Sequence, residues 1–180
     1  MSSLFKIWGV TPSEIERPYP CDDFIKDADD AIFRGITIYA GPQTIYKWLC
    51  QMRIAPYSYD WIDNLGRKSP EKLTPSLDDL KIGQTVMTIF KLIDFKANSY
   101  LTIRIKEKII GHQIAADAVI TYLIHQKNQS ECRLLVKLLV QYPKGFFGLL
   151  NRLILPLGDL IMMRQQLLNF KRLSENMDTV

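Results

Sequence analysis

A chain of 180 residues, 47% of them apolar and 23% charged, can bury one sizeable core and lies far from the low-hydrophobicity, high-charge composition of disordered chains. Its net charge of +4 is carried by scattered basic residues with no run of five, which excludes an obvious nucleic-acid footprint. Cys21, Cys50 and Cys132 are odd in number and far apart, so neither a disulfide framework nor a structural zinc site is expected, and the reading includes no metal or other cofactor. Residues 1–180 are taken as a single domain. The opening MSSLFKIWGVTPSE has one lysine before a broken apolar stretch and no A-x-A-like cleavage site, so a cytoplasmic location is expected.

Residues 1–31 combine Trp8, Gly9, Pro12, Pro18 and Pro20 with an acidic group, Asp22, Asp23, Asp27, Asp29 and Asp30. The prolines bias Arg17 and Tyr19 toward extended backbone, which predicts an arm laid along the body of the domain. Thr11-Pro12-Ser13-Glu14 can open a short helix, with Thr11 as cap and Pro12 at the first position. From Ile32 to Ala40 the β-branched and aromatic residues predict a strand that ends at Gly41-Pro42. Pro42 then starts a helix to about position 53 whose apolar face is Ile45, Trp48, Leu49 and Met52. The segment YSYDWIDNL predicts a second short helix closing at Gly66, and residues 67–79 an exposed, charged connection.

Alternation returns in TVMTIFKLIDF, where Val86, Thr88, Phe90 and Leu92 share one face of a strand. In SYLTIRIKEKII, Leu101, Ile103, Ile105 and Ile109 oppose Tyr100, Thr102, Arg104, Lys106 and Lys108, the pattern of a half-solvated antiparallel strand. QIAADAVITYLIHQ and ECRLLVKLLVQYP follow as longer strands joined by KNQS, a connection of hairpin length. Pro143 and Gly145 stop the sheet. From Phe146 to about Leu173 one stripe of Leu149, Leu153, Leu157, Leu160, Met163, Leu167 and Phe170 recurs at helical spacing. The order predicts an α+β fold in which a curved antiparallel sheet, with two short helices after its first strand, wraps around the long C-terminal helix of residues 146–173. Such a sheet leaves a cavity against the helix.

The segments ITIYAGPQTIYKWLCQM, YSYDWIDN, LKIGQTV and GDLIMMRQQLLNFKR are similar to the START-like, helix-grip superfamily, also described as SRPBCC or polyketide cyclase-like, and to its bacterial members of unassigned function. That resemblance spans most of the chain. It implies an internal, largely apolar ligand cavity, in a superfamily that includes lipid carriers, plant allergens that bind small hydrophobes, aromatase/cyclases and chaperone regulators. One departure stands at Pro20-Cys21-Asp22, where relatives favour Pro-Gly-Asp; a cysteine there conflicts with any turn that needs a positive φ.

The resemblance places Tyr57, Tyr59, Asp60, Trp61 and Asp63 at the cavity mouth, where rings supply apolar area and a carboxylate orients a hydroxyl or amine. The same residues also suit helix packing and capping. Strand residues Phe90, Ala118, Ile120 and Tyr122 and helix residues Leu153 and Leu157 are the candidate lining. Asp117 is a candidate acid or base beside Tyr59 if it faces the cavity, since a carboxyl in dry surroundings has a raised pKa. Period two equally puts it on the outer face with Thr121 and His125. Asp159 and Arg164 are more than a turn apart and read as a surface pair. Arg53 could pair with a mouth carboxylate. His112 and His125 have no ligand partner at metal-binding spacing, and no Gly-rich phosphate loop or G-x-S-x-G motif occurs.

Three functions are compatible with these residues. The leading one is binding of a hydrophobic or amphipathic small molecule, lipid- or polyketide-like, between sheet and helix for sequestration or transfer. The second is a cyclase- or dehydrase-type enzyme using a cavity tyrosine or aspartate to move a proton. The third is an interaction module whose core is filled by its own side chains. Membrane contact through FFGLLNRLILPLG, flanked by Lys144 and Arg152, is a further possibility, and the chain is expected to be a monomer or homodimer.

Overall fold

A computed structural model describes residues 3–59, 61, 66–106 and 116–177. Among them, seven strands form one sheet in the order β1-β2-β7-β6-β5-β4-β3. The strands are β1 (Ile7–Trp8), β2 (Asp30–Ile38), β3 (Thr85–Val86), β4 (Phe90–Lys96), β5 (Tyr100–Ile105), β6 (Asp117–Gln126) and β7 (Cys132–Gln141). All neighbours are antiparallel except β1 and β2, which run parallel. The helices are α1 (Ser3–Lys6), α2 (Pro12–Glu16), α3 (Pro42–Cys50), followed by a 3-10 turn at Gln51–Arg53, and α4 (Phe146–Met177). This is the expected α+β, helix-grip arrangement, with α4 held against the concave side of the sheet.

The concave core joins Ile32, Ile38, Leu92, Leu101, Ile103, Tyr122, Leu134 and Val136 to Trp48 and Leu49 of α3 and to Met163, Leu167, Phe170 and Leu173 of α4. These helix positions continue the apolar stripe read from the sequence, but only in its C-terminal half. Leu149, Leu153 and Leu157, from the N-terminal half, are exposed.

The opposite face of the sheet is also covered. Tyr19, Cys21 and Ile25 of the arm pack on Phe33, Val119, Leu135 and Leu139. A strand buried on both sides reads as a nearly unbroken apolar run, which is what RLLVKLLV is in β7. Basic residues of β7 hold the arm. Arg133 donates through Nε and Nη2 to the two carboxylate oxygens of Glu14 at 2.7 and 2.9 Å, and Lys137 pairs with Asp22 at 2.5 Å. Glu14 also completes the capping box of α2 with Thr11, and the Arg133 guanidinium brings its pKa down to about 2. Cys21 sits fully buried inside a 3-10 turn, Pro20–Asp23, and is not among the residues with positive φ. The cysteine is therefore accommodated as an apolar core residue, because this turn needs no left-handed backbone.

Gly9 and Gly35 make the approach of β1 to β2 possible. A Cβ on Gly9, whose φ is +71°, would lie 2.1 Å from the Gly35 carbonyl oxygen.

Two strand expectations are corrected. TVMTIFKLIDF is not one strand, since Met87 (φ 45°) and Thr88 (φ 62°) form a tight turn and Val86 pairs with Phe90. Thr102, predicted to be solvated, is buried and shares a hydrogen bond of 2.9 Å with Thr121. The second short helix expected in YSYDWIDNL falls largely on positions 60 and 62–65, outside the described residues, as do Ile109 and His112.

Candidate functional site

Between the β3–β4 turn, β6 and α4 lies a cavity of about 550 Å³, in the size range of small-molecule sites. On α4, Asp159, Met162, Met163 and Gln166 line it, spaced i, i+3, i+4, i+7 and so on one face. Ile120 and Tyr122 of β6 form the floor, and Pro56, Ser58 and the segment Met87–Phe90 form the rim. Two consecutive non-glycine residues with positive φ are costly, of the order of 1–3 kcal/mol each. The rim turn is held in that shape by hydrogen bonds from Met87 N to Met52 O and from Lys106 N to Ile89 O, both 2.9 Å.

The polar end of the cavity is built from three side chains. The Tyr122 hydroxyl donates to Gln166 Oε1 at 2.7 Å, and Gln166 Nε2 donates to Pro56 O at 2.5 Å. Asp159 forms an ion pair with Arg34, Oδ2 to Nη2 at 2.8 Å, and its side chain keeps 11% exposure. Burial pushes the Asp159 carboxyl up to about 6 against the pull of Arg34. The Tyr122 phenol is raised by burial first and by Asp159 second. Arg34 is fully buried on the concave side of β2 and donates to Phe33 O at 3.0 Å and Phe5 O at 2.7 Å. Burial lowers the pKa of Arg34 and the Asp159 carboxylate opposes it, and a guanidinium starts so high that it stays a cation.

The predicted site residues separate into groups. Phe90, Ile120 and Tyr122 come together on the cavity, and Ala118 lies buried on the same face of β6. Tyr57 is a packing residue, edge-to-face with Trp48 at 6.0 Å and tilted against Phe170 at 5.6 Å. Its carbonyl accepts from Asn169 of α4 at 2.9 Å. Tyr59 is half-buried and Trp61 is 74% exposed, and neither is among the lining residues. Asp60 and Asp63 lie outside the described residues. Leu153 (70% exposed) and Leu157 (47%) point away from the cavity, because the helix turns a different side to the sheet there.

Asp117 occupies the outer face, in the period-two series with Val119, Thr121 and His125. It pairs with Arg104 at 2.5 Å and lines a separate, open groove of about 890 Å³ with Tyr142, Lys144 and Arg152. It does not reach the cavity beneath α4. Arg53 donates to the carbonyls of Leu77 and Asp79, and the mouth carboxylates Asp60 and Asp63 expected as its partners lie outside the described residues. The surface pairing expected of Asp159 with Arg164 is replaced by the buried pair with Arg34, while Arg164 stacks over Trp8 at 5.7 Å.

Sequence reasoning expects Asp159 at the surface, and Gln166 and Arg34 are not among its candidates. A signal was present: Arg34 stands at an inward position of Ile32-x-Arg34-x-Ile36-x-Ile38, and Asp159 sits in a long apolar helix. A charge at such a position requires a buried partner. Each supplies it to the other.

Neither a protein-family model nor a curated protein sequence matches the chain. Solved structures do. Protein MLL2253 from Mesorhizobium loti superposes with a TM-score of 0.53 at 11% identity, over 82% of this chain and 98% of its own. Protein CV1439 from Chromobacterium violaceum gives 0.52 at 12%, over 81% and 96%. The di-domain ARO/CYC StfQ from the steffimycin biosynthetic pathway gives 0.53 at 10%, over 89% of this chain and 55% of its own length, about half of that protein. At these identities the likeness is one of fold alone, and that fold is the helix-grip arrangement expected from the sequence.

Proposed function

We propose that this chain, acting as one helix-grip domain, binds a hydrophobic or amphipathic small molecule in the cavity beneath α4, for sequestration or transfer. The observation that carries the reading is the lining. Three methionines, Ile89, Phe90 and Ile120 surround a space of about 550 Å³, and a few polar groups gather at one side, as in small-molecule sites generally. Methionine suits such a wall because its flexible, polarisable side chain adapts to different apolar shapes. A filled-core module would leave no such volume.

The test is native mass spectrometry of protein purified gently from a bacterial host, followed by denaturing extraction. A stoichiometric apolar compound released on denaturation is the expected outcome. If the protein emerges empty and also fails to take up a neutral apolar dye such as Nile red, the binding reading fails.

A second reading, a cyclase- or dehydrase-type enzyme, is favoured by one feature. Asp159 lines the cavity beside the Tyr122 phenol with a carboxyl raised to about 6, the range in which a carboxyl exchanges protons at neutral pH. StfQ, similar in fold, carries the description ARO/CYC. In this reading Asp159 takes the role first sought at Asp117 or Tyr59, and turnover would follow an apparent pKa near 6 that Asp159→Asn abolishes.

A further inference from the structure

The head group that the cavity accepts can be argued from hydrogen-bond supply, and this inference rests on the binding reading above. The proton of the Tyr122 hydroxyl is spent on Gln166 Oε1. Gln166 Nε2 donates to Pro56 O at 2.5 Å and to the sulfurs of Met87 at 3.3 Å and Met52 at 3.7 Å. The Arg34 guanidinium is absent from the lining and held by Phe5 O, Phe33 O and the Asp159 carboxylate. Tyr122, Gln166 and Asp159 thus present oxygens at the polar end, and the hydroxyl-bearing Ser58 and Thr88 stand at the rim.

Asp159 is the most demanding of them. Its Oδ2 is shut off from the cavity and lies 2.8 Å from Arg34 Nη2, while the side chain as a whole lines the cavity and keeps 11% exposure. A donor placed on the open side of a carboxylate that lines an apolar cavity makes a charge-assisted hydrogen bond, worth about 1.5–3 kcal/mol. Because Arg34 already balances the charge, that donor needs no charge of its own. An ammonium head would set two cations around one carboxylate, and a carboxylate head would bring a second anion to a low-dielectric site.

We propose that the cavity selects uncharged amphiphiles whose head is a hydroxyl, an alcohol or phenol donating to Asp159, with the apolar body against Met87, Phe90, Ile120 and Met162. Carboxylates, amines and acceptor-only heads are discriminated against by the same oxygens.

Competition against bound Nile red at about pH 8, where Asp159 and a fatty carboxylate are both ionised, tests this with one chain length: 1-decanol, decyl methyl ether, decylamine and decanoate. The ether is the sharpest comparison, since it is the less water-soluble compound and any apolar cavity without a donor requirement would prefer it. We expect 1-decanol to bind about tenfold tighter than the ether, and tighter than decylamine or decanoate. In Asp159→Asn the alcohol-to-decanoate ratio should fall about tenfold, because Arg34 is then uncompensated. Ether binding equal to or tighter than alcohol overturns the head-group assignment while leaving the binding reading intact, and this comparison needs only the unmodified protein. Decylamine binding tighter than 1-decanol overturns the neutral-head assignment, and so does an unchanged ratio in the Asn variant. If Nile red itself does not bind, the binding reading falls and this inference with it.

Discussion

The two halves of α4 have the same kind of composition and opposite surroundings. From Met163 onward, Leu167, Phe170 and Leu173 are buried against β2, β6 and α3, and polar residues such as Arg164, Lys171 and Arg172 lie away from that core. Before Asp159, Phe146, Leu149, Leu150, Leu153, Ile154 and Leu157 are all exposed, with contact limited to a narrow side that includes Gly148 and Pro156. A helix of 32 residues is about 48 Å long, whereas ten-residue strands such as β6 and β7 reach about 33 Å. The N-terminal half of α4 meets the sheet along one side, at Pro156 against Arg34 and at Arg152 beside Asp29. An apolar periodicity therefore states what a helix could bury, and the extent of its partner decides how much of it is buried. Among the described residues no helix is long and apolar enough to cross a membrane.

Substitutions along α4 and its partners should grade this contrast. Phe170→Ala removes a fully buried ring packed on Tyr57 and should cost about 3–5 kcal/mol in urea unfolding; a loss under about 1 kcal/mol would mean that the covered half is not core. At the junction, Arg34→Met leaves Asp159 without its cation and should cost about 3 kcal/mol. The pH profile sharpens this variant. A folded-state pKa of about 6 against an ordinary 3.8 means that the folded protein binds the Asp159 proton more tightly than the unfolded chain. The corresponding stability is present below about pH 3.8 and lost as pH rises through 6. Urea midpoints measured between those limits should fall with pH, more steeply in Arg34→Met, and the Asp159 contribution should vanish in Asp159→Asn.

Tyr122→Phe should cost about 1–2 kcal/mol, since Gln166 Oε1 loses its buried donor. The smallest effect is expected in the uncovered half. Leu153→Gln, at a position 70% exposed, should change stability by less than about 0.5 kcal/mol. A loss near that of Phe170→Ala would reveal that this half is covered in solution and would break the contrast.

Legibility in the sequence followed the range of the interactions. The arm's capped helix at Thr11–Glu14, the strand-turn-helix around Gly41-Pro42 and the long C-terminal helix could be read directly, because capping, turn chemistry and periodicity act within a few residues. Alternation also grouped Ile120 and Tyr122 of β6 on one face and Asp117 on the other, without deciding which of the two faces the helix. Met87 and Thr88 could not be recognised as a turn, since neither favours positive φ; the cross-strand bonds from Lys106 and the contact with Met52 impose it.

What the sequence by itself determined is the inventory: one helix-grip order of elements, an apolar face on each strand, and a helix with more apolar surface than polar. Tertiary structure decided which of that surface is used. Asp117 and Asp159 are both carboxylates amid apolar neighbours. One pairs with Arg104 on the outer face and the other with Arg34 beside the cavity. A strand's parity narrows a side chain to two faces and a helix's period to one direction. The choice between water and core is made by whatever packs against that face, and for these two residues the deciding partners lie 13 and more than a hundred residues away in the chain.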